Sequence, residues 1–203
     1  IAIDDRALAP DEYTLEADKL TIHAPPATFR LDVVTCINPA ANTALEGLYM
    51  SGGIYCTQCE AEGFRHITFY PDRPDVMARF RVTVRSDLPV LLSNGNLLDQ
   101  DAGIAVWDDP WPKPAYLFAL VAGNLVALSD SFTTMSGCHV ALNIWVRPGD
   151  EDRCGFAMEA LKKSMAWDER TYGREYDLDI FNIVAVDDFN MGAMENKGLN
   201  IFN

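Results

Sequence analysis

Two cysteines three positions apart are the first residues whose types and spacing could do chemistry. Cys56 and Cys59 lie in the segment CTQCE, and His66 follows shortly afterwards. A structural zinc takes four ligands, usually in two spaced pairs, so these three residues leave a tetrahedral site incomplete. A redox-active CxxC pair opens a helix after a strand, whereas this pair has β-forming residues on both sides. The spacing therefore favours neither a metal site nor a redox site.

The same segment carries two polar side chains at alternate positions. Gln58 and Glu60 point to the same side of the chain if the segment is extended. From the spacing alone, a solvent-exposed polar face and a small binding site both fit this pattern.

The segment VDDFNMGAMENKGLNIFN is the second candidate. An apolar run ends at Val186, a loop follows, and Gly192 permits a close approach of the backbone just before Glu195 and Asn196. A plain turn that leads into the strand GLNIFN and a functional loop at a strand end both fit these residues.

The composition of the chain limits the classes of partner that it can bind. The 203 residues are 49% hydrophobic and carry a formal net charge of -14, which repels nucleic acid and anionic membranes. No apolar run approaches the roughly 20 residues that span a bilayer, and the N-terminus lacks a signal-peptide pattern. The five cysteines are an odd number, and no Asn-x-Ser/Thr sequon occurs. We therefore expect a soluble, cytoplasmic protein that binds neither nucleic acid nor membrane.

The first part of the chain is strand-like. The runs FRLDVV (29–34) and RFRVTV (79–84) alternate apolar and polar residues, and turn clusters such as SGG and SNGN separate such runs. This pattern predicts antiparallel sheets, arranged as a sandwich or saddle with one face in water. An apolar run ends near Asn124, and there we place the end of a β domain, residues 1–124.

The second unit, residues 125–203, mixes strand and helix. CHVALNIWV (138–146) predicts a strand, and apolar residues then recur at helical spacing up to Gly173, a residue that favours a helix C-terminus. LDIFNIVAV (178–186) predicts a nearly all-apolar strand that is covered on both faces. The chain is therefore predicted to be mainly β, with an α+β second unit.

Both candidate segments resemble motifs of one enzyme family. GAMEN (192–196) resembles the exopeptidase signature of the gluzincin M1 aminopeptidases, and TQCE (57–60) resembles the TQxE segment that anchors the substrate amine in that family. Further similarity to the bacterial branch, through YLFALVAGN and FTTMSG among other runs, covers nearly the whole chain. The resemblance implies an N-terminal β sandwich or saddle whose first strands are missing. It also implies that a thermolysin-like α+β catalytic domain begins here and is truncated before its zinc motif.

The resemblance implies specific roles for the polar residues. Glu60 and Glu195 would together bind the α-ammonium group of a peptide, with Gln58 adding a hydrogen bond and Glu195 as the catalytic residue. An α-amino group has a pKa near 8 and is mostly protonated at neutral pH, so it needs an anionic partner. The expected partners are therefore peptide substrates with a free N-terminus.

A substrate groove is also implied along the second segment. Gly192 and Ala193 would pair with the substrate backbone through main-chain groups. Met191, Met194 and Asn196 would flank the groove, with Met191 in the wall of the first side-chain pocket. Ordinary core packing is the alternative for both methionines.

Zinc is the cofactor that the resemblance implies, but the family's ligands are not in this chain. M1 enzymes bind the metal through HExxH and a downstream Glu, and none of the three histidines here is followed by Glu. We therefore expect the zinc ligands in the remaining C-terminal catalytic and helical domains. The chain alone is expected to be inactive.

Two other functions remain open at this point. The first is a non-catalytic β-sandwich module that binds peptide N-termini through Glu60 and Glu195. The second is a relative in the leukotriene-processing branch, an epoxide hydrolase as well as a peptidase, although that branch resembles GGMEN where this chain has Ala193. If the chain is a fragment of such an aminopeptidase, we expect it to self-associate or to unfold more easily than the whole enzyme, because apolar faces and sheet edges would lack cover.

Overall fold

Seventeen strands, one α-helix and four three-residue 3-10 helices make up the regular structure of the chain, in a computed structural model that describes residues 1–203. No helix of the chain is both long and apolar enough to cross a membrane. The elements are β1 (Ala2–Ile3), β2 (Arg6–Ala7), β3 (Tyr13–Leu15), β4 (Leu20–Ile22), β5 (Leu31–Asp32), β6 (Gly47–Ser51), β7 (Ile54–Gln58), β8 (Ala78–Arg85), β9 (Val90–Ser93), β10 (Asn96–Asp101), β11 (Ile104–Lys113), β12 (Leu120–Gly123), β13 (Val126–Thr133), β14 (His139–Val146), α1 (Gly155–Tyr172), β15 (Ile180–Ala185), β16 (Ala193–Met194) and β17 (Leu199–Phe202).

The four-stranded antiparallel sheet ordered β6-β7-β12-β9 is the most buried sheet of the first part. Every residue of β9 and four of the five residues of β7 lie in the interior. A strand that is covered on both faces has a nearly continuous apolar sequence, and the runs PVLLS and ALVAG are of this kind.

A three-stranded antiparallel sheet, ordered β10-β11-β8, packs against the four-stranded sheet. Trp107 of β11 is buried, and its Nε1–H donates to the carbonyl oxygen of Leu91 in β9 at 3.1 Å. Strand β8 alternates half-buried and exposed residues over most of its length, as a sheet with one face in water requires. The predicted antiparallel sandwich is confirmed.

The second unit is a five-stranded mixed sheet, ordered β13-β14-β15-β17-β16, with one helix packed on it. Strands β14, β15 and β17 run parallel, whereas β13 and β16 pair antiparallel at the two edges. Met158 and Met165 of α1 pack on the buried residues of β14. The helix ends where Gly173 takes a left-handed conformation with φ of 62 and donates its N–H to the Glu169 carbonyl. The predicted helix end and the α+β character are confirmed.

The segments before and after Asn124 share one hydrophobic core. The largest core cluster joins Tyr49 and Val121 of the four-stranded sheet to Met194 and Ile201 of the last strands. The two segments with candidate chemistry therefore rest on the same core. The domain boundary at residue 124 stays a prediction.

Two predicted strands differ from the structure in their extent or cover. In FRLDVV only Leu31 and Asp32 form a strand, and Val34 is 89% exposed. The reason is that their partner β1 is only two residues long, and a strand needs a partner along its length. The strand predicted over 178–186 covers Ile180–Ala185, and buried residues alternate with half-buried ones over most of it, so only one face is fully covered.

Candidate functional site

The segment TQCE ends strand β7 inside the four-stranded sheet. Strand β7 pairs with β6 on one side, where Gly47 faces Gln58, and with β12 on the other. The Leu120 N–H donates to Thr57 Oγ1 at 3.0 Å and extends the contact with β12. The segment is therefore bonded to β12 as far as Thr57 and to β6 as far as Gln58.

The two cysteines of this segment face different parts of the interior. Cys56 lies in the largest core cluster, whereas Cys59 packs with Phe64 and Phe118 in a separate aromatic cluster. Burial raises the pKa of the Cys56 thiol to about 11 and raises the pKa of the Cys59 thiol as well. Both thiols are therefore protonated at neutral pH, and the reactive species of a cysteine is the thiolate. These side chains serve packing.

Side chains that could ligate a metal do not converge in this chain. His66 lies at the surface, with its Nε2 3.4 Å from the Oε2 of Glu46. No group of three His, Cys, Asp or Glu side chains is close enough to share one ion. The residues of this chain therefore do not fit the zinc that the family resemblance implies.

A tight turn after β7 carries Glu60. The Gly63 N–H donates to the Cys59 carbonyl at 2.9 Å, and the Glu60–Ala61 peptide bond within the turn is cis. A Cβ at Gly63 would lie 2.5 Å from the carbonyl oxygen of Gln58, a distance that excludes any side chain. The turn is thus closed against the strand before it, which sets the backbone position of Glu60.

The segment GAMEN forms the outer edge of the five-stranded sheet. Ala193 and Met194 make up β16, whose one neighbour in the sheet is β17. The Asn203 N–H donates to the Gly192 carbonyl at 3.1 Å, so hydrogen-bonded positions fall at Gly192 and Met194. In an antiparallel ladder the position between them points its N–H and C=O away from the partner strand. Ala193 therefore presents both main-chain groups to the open edge.

Glycine at position 192 is not required by the packing of the chain. Apart from the glycine and its two chain neighbours, no atom lies within 4 Å of the place that a Cβ at Gly192 would occupy. Its φ is also outside the left-handed region that favours glycine. The absence of a side chain here leaves free space beside the edge strand.

The two methionines of the segment have different surroundings. Met191 is 40% exposed, whereas Met194 is fully buried in the largest core cluster. Core packing, the alternative that the sequence left open, therefore describes the Met194 side chain, which is apolar and packs among other core residues.

Four polar side chains in the two segments have no hydrogen-bond partner in the chain. Gln58 and Asn196 are each 1% exposed, and both amide atoms of each are unbonded. Glu60 is half-buried and Glu195 is exposed, and neither forms an ion pair or a side-chain hydrogen bond. Elsewhere only two buried side-chain nitrogens lack a hydrogen bond: Arg147 Nη2, which forms an ion pair with Asp187, and Asn182 Nδ2, whose side chain accepts the Trp145 N–H through Oδ1. Because buried polar groups are nearly always paired, this concentration marks a candidate binding site.

Sequence reasoning missed the residues that hold the second segment in place. Tyr49, Ser51 and Asp188 form one set of hydrogen bonds before GAMEN, and Asn94 bonds the backbone after it. Asn94 lies in the SNGN cluster, which predicts only a turn. No spacing signal marks the other three, because Ser51 and Asp188 are 137 positions apart.

Two family models match the chain. Residues 3–117 match the model described as the peptidase M1 N-terminal domain, and residues 156–203 match the peptidase family M1 domain. Together the two matches include both candidate segments.

Curated proteins and a solved structure are similar to the whole chain. Aminopeptidase N of Caulobacter vibrioides is 58% identical over 210 residues, which cover 100% of this chain and 24% of that protein. Aminopeptidase N of Escherichia coli is 59% identical over 196 residues, 93% of this chain and 22% of that protein. The crystal structure of Legionella pneumophila aminopeptidase A in complex with aspartic acid matches with a TM-score of 0.88 and 38% identity, over 100% of this chain and 25% of that one. The chain spans about a quarter of the length of these relatives.

Proposed function

The chain belongs to peptidase family M1, and on this basis we propose that it is the substrate-anchoring part of an aminopeptidase, which removes N-terminal residues from peptides. The resemblance that GAMEN and TQCE indicate is confirmed, as is the similarity to bacterial aminopeptidase N. One observation carries the proposal: Gln58, Glu60 and Glu195, with Asn196 beside them, have no partner within the chain.

The proposed ligand of the carboxylates is the α-ammonium group of the substrate. One carboxylate attracts a positive charge, whereas Glu60 and Glu195, carried by two separate segments, restrict its position. The position of the amine then decides which peptide bond lies at the reacting centre. Gln58 would add a hydrogen bond through its unpaired amide.

The proposed groove uses the open edge of β16. An extended peptide would add a strand there by bonding the main-chain groups of Ala193, and the free space beside Gly192 would admit its backbone. The exposed Met191 would line the first side-chain pocket, where a flexible thioether adapts to different residues. Asn196 would bond the substrate or the loop around it, and Met194 would act only through its backbone.

The hydrolytic chemistry is assigned to residues outside this chain. M1 enzymes use a zinc ion that polarises the substrate and activates water, and no zinc ligand set is present here. The other partners of this chain would then be the remaining catalytic and helical domains of the enzyme. All five cysteines are free, which fits a reducing compartment, and we propose the cytoplasm.

The proposal is tested with the full-length enzyme and an alanyl anilide substrate. Replacing Glu60 or Glu195 by Gln removes one charge-assisted hydrogen bond, worth about 1.5–3 kcal/mol. We expect kcat/KM to fall by roughly 10- to 150-fold in each variant. Glu62→Gln is the matched control, because Glu62 lies in the same turn, is exposed, and pairs only with Arg65.

The N-acetylated anilide provides the opposite test. Acetylation removes the ammonium charge, so the wild type should not cleave this substrate measurably. Equal cleavage of both anilides, or a loss of activity in Glu62→Gln as large as in Glu195→Gln, would reject the amine anchor. An enzyme that binds peptides but never cleaves them would instead favour the non-catalytic binding module.

A further inference from the structure

Two hydrogen-bonded contacts fasten the backbone on either side of GAMEN to the strands around TQCE. The upstream clamp consists of Tyr49, Ser51 and Asp188. The downstream clamp consists of Asn94 and the carbonyl group of Lys197. The hydrogen bonds of both clamps are made within the interior or at its margin.

The upstream clamp joins the loop before GAMEN to strand β6. The Asp188 N–H donates to Ser51 Oγ at 2.8 Å, and Ser51 Oγ–H donates to Asp188 Oδ2 at 3.0 Å. The Tyr49 hydroxyl donates to the Asp188 carbonyl at 2.9 Å. Tyr49 and Ser51 are both 0% exposed. Strand β6 pairs along its whole length with β7, which leads to Glu60.

The downstream clamp joins the residue after Asn196 to the backbone just before strand β12. Asn94 is buried, and its Nδ2 donates to the carbonyl groups of Leu117 and Lys197, each at 2.9 Å. Its Oδ1 accepts the Ala119 N–H at 2.7 Å. One side chain thus bonds the backbone that enters β12 and the backbone just past GAMEN. Strand β12 is the other neighbour of β7.

The glycines beside this clamp let the two backbones approach closely. A Cβ at Gly198 would lie 3.3 Å from the backbone nitrogen of Gly95. Gly95 also lies against β11, where a Cβ would come 2.1 Å from the Asp108 carbonyl oxygen. The contact between Gly198 and Gly95 is therefore between main chains, which are stiffer than side chains.

We propose that the two clamps are positioning devices that set the location of Glu195 relative to Glu60. This inference rests on the proposed amine anchor. Glu195 forms no ion pair or side-chain hydrogen bond in the chain, so its location follows from the backbone that the clamps hold. The upstream clamp ends on β6 and the downstream clamp on the backbone that enters β12, and these two strands flank β7. Each clamp therefore fixes Glu195 relative to the strand that leads to Glu60. A ligand held by two carboxylates is sensitive to their separation, and a misplacement of about 1 Å can cost roughly 100-fold in rate.

The test measures amine-dependent affinity in the full-length enzyme. The probes are a ketomethylene isostere of alanyl-alanine, which cannot be hydrolysed, and its N-acetyl derivative, both titrated by calorimetry. Tyr49→Phe removes one hydroxyl and keeps the packing, and we expect the free-amine probe to bind roughly 5- to 10-fold more weakly. Asn94→Ala removes the downstream clamp, and we expect a loss of up to about 100-fold. The N-acetyl probe should bind all variants equally.

Tyr176→Phe is the matched control. The Tyr176 hydroxyl also donates to a backbone carbonyl, that of Ile180, at 3.0 Å, but it bonds no residue of the GAMEN loop. A purely structural role of the clamps would lower the melting temperature and leave the free-amine affinity of the folded enzyme unchanged. If Asn94→Ala does not fold, Tyr49→Phe decides the question.

Glu195→Gln in the same titration separates the two proposals. If it keeps the wild-type preference for the free-amine probe, the amine anchor itself is wrong. If it loses that preference while Tyr49→Phe and Asn94→Ala bind like Tyr176→Phe, the anchor stands and the clamps are overturned. Selective loss in Glu195→Gln and in both clamp variants supports both proposals.

Discussion

At the residue scale, the two candidate segments differ in what holds each side chain. Cys56, Cys59 and Met194 are part of the interior, whereas Gln58 and Asn196 are equally buried but unpaired. Burial alone therefore does not separate packing residues from the candidate binding residues here. The hydrogen-bonding state of the buried polar atoms distinguishes the two sets.

Gly192→Ala tests the open space beside the edge strand. Apart from Gly192 and its two chain neighbours, no atom of the chain lies within 4 Å of the new methyl group, so we expect an unchanged melting temperature. Under the proposed function the methyl group occupies the path of the substrate backbone, and KM for an alanyl peptide should rise by roughly 10-fold or more.

Gly155→Ala is the control for this substitution. A Cβ at Gly155 also meets no atom within 4 Å, and this residue begins α1, away from the groove. It should leave KM unchanged and stabilise the helix slightly. A loss of stability in Gly192→Ala, with KM unaltered, would contradict the groove.

The sequence could predict the candidate residues but not the hydrogen bonds that hold their segments in place. The resemblance indicated Glu60 and Glu195 from local motifs, and the spacing of Cys56, Cys59 and His66 favoured neither a metal site nor a redox site. The pairs Ser51–Asp188 and Asn94–Lys197 were out of reach, because their members are more than 100 positions apart. Only the fold brings them together.

At the element scale, strand β11 combines two prolines with a buried ion pair. Its register with β8 shifts between Asp109 and Lys113, and this irregular stretch holds both prolines. Lys113 Nζ lies 3.0 Å from Asp109 Oδ2 and 4.1 Å from the centre of the Phe80 ring. Burial lowers the pKa of Lys113, and the bond to Asp109 acts against that shift.

Removing one member of this ion pair should lower the free energy of unfolding more than removing both members. Asp109→Ala leaves the Lys113 charge buried without a partner, and we expect the free energy of unfolding to fall by about 3–5 kcal/mol. The double variant Asp109→Leu with Lys113→Met leaves no charge and keeps the volume, so it should lose much less. Urea unfolding of the three proteins measures the difference. Equal losses in the single and double variants would show that the pair is not the origin of the cost.

Strand patterns were most reliable where a strand has long partners. RFRVTV (79–84) lies within β8 because β11 pairs along nearly all of it. FRLDVV (29–34) has the same alternation but meets only the two residues of β1, and it remains mostly irregular. Alternation records which side chains can share a face. It does not record whether another strand is available.

At the scale of the whole molecule, the net charge of -14 and the exposed apolar surface have opposite effects on self-association. Helix α1 exposes Phe156 by 86%, Tyr172 by 64% and Trp167 by 49%. Exposed aromatic residues favour association, and the net charge resists it over a distance that salt shortens.

The isolated chain should therefore self-associate more strongly as salt rises. We expect light scattering after gel filtration to give a larger mass at 0.5 M than at about 0.05 M salt, where the Debye length is longer. Replacing Phe156 and Trp167 by Ser should reduce this mass. Val34→Ser is the control, because Val34 is 89% exposed but lies outside α1. A chain that stays monomeric at every salt concentration would contradict the prediction.

The shared core also has a consequence for biosynthesis. Val121 lies in the first sheet, yet its core cluster is completed only by Leu199 and Ile201, about 80 residues later. At roughly 5–20 residues per second, a ribosome takes about 4–16 s to supply that missing side of the core. During this interval the nascent four-stranded sheet exposes apolar surface that a chaperone could bind. The GAMEN loop is thus made just before the residues that close the interior, so the proposed amine anchor would take shape at the same moment as the fold.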